Sequence, residues 1–295
     1  MTTLRFKFSK ALLTGVAMLW LQVSYAQGLK GDSWAEVKAS KSGTITFTYI
    51  ETPGLSYKDG NGMLTGICVD VMYDFVRFLE KSKGIKLNFK FEGESDNFRN
   101  FYSNVKSGSG GVFGLGNIAI TESRKKEVNF SPAYITSFPM LVSHSSVETL
   151  KDLKTISTTF KFMKAYVTKG TVNEKRILEL KTQYFPDLTV LNTTSSLENL
   201  QKIMLDDNSF GYVDVMFYLD AVKKKMPIKR HSVGDKAAEE FGIIMPTNSD
   251  WDDIIREFFA ANGGYKNSPE YKKIIIKHLG ATGAKLLESA PKGNT

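Results

Sequence analysis

The feature that most constrains this chain is an alternation. Between Gly43 and Gly280, segments rich in β-branched and aromatic residues are followed repeatedly by segments with apolar residues at helical spacing. "GTITFTYI" (Gly43–Ile50) suits a strand and ends at the turn signal "TPG". "YKDGNGMLTG" is rich in turn residues and suits a hairpin-like excursion. "ICVDVMYDFVRFLEKSKG" places Val69, Met72, Phe75, Val76 and Leu79 on one helical face and stops at Gly84. "IKLNFKF" alternates as a strand, "DNFRNFYSNVKSG" suits a helix capped by its aspartate, and "GGVFGLGNIAI" returns to strand. The second half repeats the theme: strand "MLVS", helix "VNEKRILELKTQYF", strand "LTVLN", helix "SSLENLQKIMLDD", strand "FGYVDVM". It closes with strand "FGIIMP" and helices in "SDWDDIIREFFAA" and "PEYKKIIIKHLG". Such alternation predicts an α/β fold with mostly parallel sheets. The number of units at 295 residues suits two lobes better than one continuous sheet.

The first residues stand apart. Arg5, Lys7 and Lys10 precede the apolar run "ALLTGVAMLWL", and "SYA" offers small residues before Gln27. Eleven apolar residues are short for a bilayer span, so residues 1–26 read as a secretory signal peptide. The mature chain is then expected to be soluble and outside the cytoplasm. Removing Arg5, Lys7 and Lys10 takes the formal charge from +8 to +5. The basic clusters "SRKKE", "VKKKM" and "IKRH" lack interleaved aromatics, which argues against a nucleic-acid partner. Cys68, the sole cysteine, has no internal disulfide partner and lies among apolar residues as an inert thiol.

Catalytic and cofactor motifs find little support. His144, His231 and His278 are far apart and form no i,i+4 pair, so no metal is expected. There is no G-x-S-x-G elbow and no Walker A pattern. "GLGNIA" meets only the loosest dinucleotide pattern, with its glycines inside a strand and not at a strand-to-helix turn. No cofactor and no catalytic residue are assigned.

One placement asks for an explanation. In "NIAITESRKKEVNFSPAYITSF", Thr121 suits a helix N-cap and Glu122 the first turn, but Arg124 then puts a positive charge at the positive end of that helix. Taken by itself, it reads as a surface arginine in the basic run "SRKK".

The same stretch carries a family resemblance. Gly66 and Asp70 in "GMLTGICVDVMYDFV", then Ile120, Thr121, Arg124, Phe130, Ser131 and Tyr134, resemble in order the motifs of bacterial family 3 solute-binding proteins, the periplasmic receptors of amino-acid ABC transporters. The resemblance covers roughly Gly43 to Gly280. It implies a type 2 periplasmic-binding-protein fold, two α/β lobes joined by two crossover strands that form a hinge. Lobe 1 would comprise 43–138 and 228–290, with lobe 2 at 139–227.

The implied function is capture of an amino acid or similar small carboxylate by hinge closure, by a monomer that delivers it to a membrane permease. A module presenting ligand to a sensor, or a dehydratase-like enzyme with Glu51 as its acid, are the alternatives on this scaffold. Arg124 would hold the ligand's α-carboxylate as a bidentate pair, with Gly170 and Thr171 of lobe 2 on its far side; Thr171 could equally serve only as a helix cap. Asp214 would take the α-amino group, unless it is an N-cap for the helix that follows, and Asp206, Asp207 and Asp220 compete with it for that role. Three departures bear on the pocket. Ala119 stands where a hydroxyl is usual and offers only its backbone, while Asn117 offers a side-chain amide. Leu55 replaces the usual stacking aromatic, with Tyr57 nearby as a substitute. Gly111 stands where an aspartate is common.

Overall fold

The computed structural model describes residues 28–289, so the signal-peptide reading lies outside the described residues. Two five-stranded sheets organise them. The first is built on Ser42–Ile50, flanked in parallel by Lys86–Ser95 and Val112–Leu115, and completed by the short strands Ile244–Met245 and Asn129–Phe130. The second is built on Lys164–Thr168, with Thr189–Thr193 and Ser209–Asp214 parallel to it, then Pro139–His144 and Ile228–Arg230. Both sheets are mixed: in each, four strands run the same way, as expected, and one runs against them. Pro139–His144 and Ile228–Arg230 follow each other antiparallel, and Ile244–Met245 runs antiparallel to its neighbours. The reason lies in the connections: chain that enters a sheet from the neighbouring lobe has no crossover helix to reverse it.

Between the sheets runs a two-stranded ribbon. Ile135–Ser137 carries the chain out of the first lobe, and Glu239–Phe241 brings it back antiparallel to it. The expected boundary at 227/228 falls one strand early. Ile228, Lys229 and Arg230 pair with His144, Ser143 and Val142 and so remain in the second sheet.

Local chemistry explains most elements. The helix Ile67–Lys83 buries Ile67, Cys68, Val69, Val71, Met72, Phe75 and Leu79 and stops at Gly84, whose φ of 65° ends the helix in the left-handed region. The helix Phe98–Lys106 is capped by Asn97, whose side chain accepts from the Arg99 and Asn100 amides; the expected aspartate cap is one residue too early. The turn-rich excursion forms the small antiparallel pair Tyr57–Lys58 and Leu64–Thr65. The final helix continues past Gly280, where a φ of 69° kinks it, to Glu288. A helix at Trp34–Ser40 adds to the expected set, held by a Ser33–Glu36 capping box.

The core of the first lobe gathers Phe47, Phe75, Phe113, Trp251 and Phe258 in a run of edge-to-face and tilted aromatic contacts. A separate cluster around Leu141, Phe160, Phe210 and Tyr212 fills the second. Gly111 belongs to this architecture. A Cβ there would stand 2.8 Å from the Asp32 carbonyl and 2.9 Å from Ile45, so an aspartate has no room.

Candidate functional site

The turn after Val112–Leu115 builds the near wall of the cleft. Ile120 N–H donates to the Glu240 carbonyl and Gly242 N–H to the Ile118 carbonyl, so residues 117–121 are stitched to the returning hinge strand. Thr121 caps the short helix Glu122–Lys125 by accepting from the Arg124 amide at 3.3 Å. Arg124 then folds back over this turn. Its Nη1 donates to the Ala119 carbonyl at 3.0 Å, and its Nη2 reaches the Gly170 carbonyl of the second lobe at 3.4 Å. The guanidinium lies over the rings of Phe98 and Tyr102, 5.2 and 5.9 Å from their centroids.

Among the described residues no carboxylate pairs with Arg124. Burial lowers its pKa from the ordinary arginine value, opposed by Tyr102, Glu239, Asp214 and Glu127. A guanidinium whose salt-bridging capacity is unspent, aimed into a cleft, is a receptor for an anionic fork.

The far wall comes from the second lobe. Asp214 ends Ser209–Asp214 and occupies the N-cap position of the helix Val215–Lys223, yet its side chain makes no capping bond. It is only 4% exposed, and it accepts instead from Asn117 Nδ2 across the cleft at 2.6 Å. Burial foremost, then the neighbouring Glu239, raises its pKa to about 6, while Asn117, Arg176 and Asn173 pull it down. The competing aspartates are elsewhere engaged: Asp206 pairs with Lys164 and Asp220 with Lys224, and Asp207 is exposed.

One cavity brings together Arg124, Asp214, Asn117, Ala119 and Thr171, along with Phe98, Asn173, Arg176, Ser196, Glu239 and Phe241. Gly170 borders it through its carbonyl on Arg124, at a φ of 86° that favours glycine. Thr171 serves as a helix cap, accepting from Glu174 N–H while its hydroxyl donates to the Thr168 carbonyl. Its side chain nevertheless lines the cavity. Asn117 is oriented from behind by Thr52, whose hydroxyl donates to Oδ1 at 3.1 Å.

Two expected contacts do not reach this site. Leu55 is fully buried in the first-lobe core. Its carbonyl accepts from Cys68 N–H and so caps a helix. Tyr57 turns away to His278, 3.2 Å from Nδ1, on a different pocket that it shares with the exposed Glu51. Glu51 is thus not placed for acid–base work in the cleft.

Sequence reasoning passed over Arg176 and Glu239. Their side chains are 12% and 16% exposed, and Arg176 Nη2 lies 2.6 Å from Glu239 Oε1. Arg176 also donates to Asn173 Oδ1 at 2.7 Å. No spacing rule marked Arg176, since a residue five past the Thr171 cap lies about 140° round the helix from it, and only the fold brings both to one cavity.

Comparison with known proteins gives a consistent answer. The family model for bacterial extracellular solute-binding proteins, family 3, matches residues 45–281. The arginine-binding extracellular protein ArtP of Bacillus subtilis (strain 168) is 24% identical over 259 residues, covering 86% of this chain and 93% of the relative. Among solved structures, an ancestral arginine-binding protein bound to arginine superposes with a TM-score of 0.64 at 23% identity, over 80% of this chain and 98% of that one. An ABC uptake transporter substrate-binding protein from Streptococcus pneumoniae with bound histidine gives 0.65 at 15% identity, over 85% and 98%. The last two establish likeness of fold, and the family match spans most of the chain: it belongs to the bacterial extracellular solute-binding proteins, family 3.

Proposed function

We propose that the protein is an extracytoplasmic receptor that captures an amino acid, or a similar small carboxylate, between its lobes for a membrane permease of an ABC transporter. The observation that carries this reading is the pairing of opposite charges across one cavity. Arg124, without a carboxylate partner among the described residues, faces the buried Asp214 of the other lobe. A zwitterion answers both: its carboxylate meets the guanidinium, and its ammonium meets the aspartate in place of the Asn117 amide. Because the two groups belong to different lobes, a ligand bound to both favours the closed form, and a partner that reads closure reads occupancy. The arginine-binding relatives support an amino acid as the ligand class.

The test is thermal unfolding of Gln27–Thr295 against a panel of amino acids and simple carboxylates, beside Arg124→Ala. A ligand at about 100 times its Kd stabilises by roughly 2.7 kcal/mol, a shift of several degrees at this size. A hit that Arg124→Ala abolishes supports the reading; a hit that the variant retains assigns the ligand elsewhere.

One observation favours a dehydratase-like enzyme as a second reading. Asp214, with a pKa of about 6 in a closed cleft, has the property that acid–base catalysis requires. Turnover of a bound ligand, followed by NMR, would decide for that reading, and unchanged ligand would decide against it.

A further inference from the structure

The final helix, Pro269–Glu288, is anchored in the first lobe up to its kink. Before Gly280, Tyr271 donates its hydroxyl to the Tyr134 carbonyl, and Lys277 Nζ and His278 Nε2 each lie 2.7 Å from Asp70 Oδ2 on the helix Ile67–Lys83. Leu279 rests on the loop that follows Thr52, where a Cβ on Gly54 would stand 2.7 Å from its Cδ2. At Gly280 the backbone takes a φ of 69° and a ψ of 172°, a combination open essentially to glycine alone. Residues 281–288 then reach the other lobe. A Cβ on the buried Gly283 would stand 3.2 Å from Leu219 Cδ1, so this arm lies on the helix Val215–Lys223. Ala284 and Leu287 border a pocket with Ile135 and Thr136 of the outgoing hinge strand.

The arm joins two elements that also meet across the cleft. The loop positions Asn117 through the Thr52 hydroxyl, and the helix Val215–Lys223 starts from Asp214. The Asn117–Asp214 bond and the path Gly54–Leu279–Gly283–Leu219 thus link the same loop to the same helix. Between them lies a cavity of about 520 Å³, so the arm spans a gap there and does not complete a packed interface. Opening that draws Asp214 away from Asn117 carries Leu219 with it, because a helix moves as a unit, and the arm loses its apolar hold.

We propose that residues 281–288 are a strap across the lobes, anchored in the first by Asp70 and Gly54, turned at Gly280, and gripping Leu219 of the second so as to favour the closed form. This rests on closure of the lobes and not on what they close around. The strap sets how readily the lobes close by themselves, and a weaker strap leaves less of the protein in the form that a ligand bound to both lobes selects.

The experiment is pulsed electron paramagnetic resonance on Gln27–Thr295, with no ligand added. Asn104→Cys and Glu179→Cys put spin labels at exposed positions of Phe98–Lys106 and Val172–Tyr184, helices that border the cleft mouth from opposite lobes. Cys68 is buried and stays unlabelled. Gly283→Leu wedges the arm away from Leu219, and Leu219→Ser removes the surface it grips. Lys285→Leu, on the exposed side of the arm, is the control. All three are measured in the otherwise native chain and in Asn117→Ala, where the parallel bond is already gone. Each strap variant is expected to raise the ratio of long to short interlobe distances by about 5–30-fold, the effect of losing one apolar contact, with the control unchanged. Distances unchanged in both backgrounds by a strap variant that folds would overturn the strap, and so would an equal shift in the control. A shift toward shorter distances would overturn it as well, by showing that the arm props the lobes apart. Should Gly283→Leu fail to fold, as judged by its melting curve, Leu219→Ser decides. Because the measurement uses no ligand, a failure of the amino-acid reading leaves its outcome intact.

Discussion

Asn117 in the first lobe and Asp214 in the second are joined across the cleft by a 2.6 Å hydrogen bond from Nδ2 to Oδ2. Two further bonds close the lobes beside it: Phe98 N–H donates to the Thr194 carbonyl at 3.0 Å, and Arg124 reaches the Gly170 carbonyl. The groups that would hold a ligand thus also hold each other. Ligand binding on this geometry is an exchange, in which an ammonium replaces an amide on Asp214 and a carboxylate competes with backbone carbonyls for Arg124.

That exchange makes Asp214 costly to the ligand-free protein. Its pKa is raised from the usual 3.8 to about 6, so the folded state binds the proton more tightly than the unfolded chain. The group therefore favours folding below pH 4, and that contribution is lost as pH rises through about 6. By pH 7 the deficit is about 3 kcal/mol at most. Asp214→Asn is expected to bind ligand far more weakly, yet to unfold at an equal or higher temperature than wild type at pH 7, with the difference shrinking toward pH 4. A variant less stable than wild type at pH 7 would show that the carboxylate supports the fold.

Arg124→Lys separates charge from geometry. Lysine keeps the cation, and can stand near the Phe98 and Tyr102 rings, but cannot present two parallel donors to a carboxylate. Loss of one partner from a buried charged pair costs about 2–5 kcal/mol, so Arg124→Ala should weaken binding by about 30-fold or more. The lysine variant is expected to recover only part of that loss. Full recovery in titration would mean that the site needs a point charge and no fork.

His231 gives a pH dependence that is independent of ligand. It is fully buried; Leu150 N–H donates to its Nδ1 at 3.0 Å, and Ser143 Oγ lies 2.7 Å from its Nε2. With Nδ1 accepting, Nε2 carries the proton and donates to the serine, so this pair is no activated nucleophile. Burial, helped by Lys229, lowers its pKa from 6.5 to about 4. The unfolded chain then binds the proton more readily between those values, and stability falls by about 3 kcal/mol as pH drops from 6.5 to 4. Urea denaturation of His231→Gln should show a shallower decline across that window; an identical decline would assign acid sensitivity to other groups.

How far the chain could be read without its fold depends on what each residue answers to. The strand–helix alternation, the Thr121 cap and Arg124 were legible because each obeys a local rule of spacing or capping. Even the missed helix Trp34–Ser40 carried a local sign, the serine and glutamate of its capping box. The two reversed strands, Pro139–His144 and Ile244–Met245, were not legible, since their direction depends on which lobe the chain comes from. Leu55 and Tyr57 were misplaced for a similar reason: their neighbours are the helix Ile67–Lys83 and His278, distant in sequence. Phe130, Ser131 and Tyr134, which carry the family resemblance, prove to be architectural. Ser131 Oγ accepts from Ile243 N–H, and the Tyr134 hydroxyl donates to the Gly116 carbonyl.

Gly66 shows how a motif residue can be required with no ligand in reach. It sits at the N-cap of the helix Ile67–Lys83 with a φ of 132°. The helix has no side-chain cap here; Ile67 and Cys68 donate their amides to the Gly54 and Leu55 carbonyls of the preceding loop. That loop must therefore approach closely, and a Cβ on residue 66 would stand 2.2 Å from the Leu55 oxygen. Both the backbone angle and the contact exclude alanine. Its φ of 132° and ψ of 172° lie in a region open essentially to glycine alone, and that strain of about 1–3 kcal/mol adds to about 1–3 kcal/mol from the clash. Gly62 supplies a comparison: its φ of 77° also disfavours a side chain, but nothing lies within 4 Å of its missing Cβ. Gly66→Ala is expected to lose about 3–5 kcal/mol and Gly62→Ala about 1–2 kcal/mol in urea denaturation. Equal losses would show that the loop can retreat, and that the glycine serves its backbone angle alone.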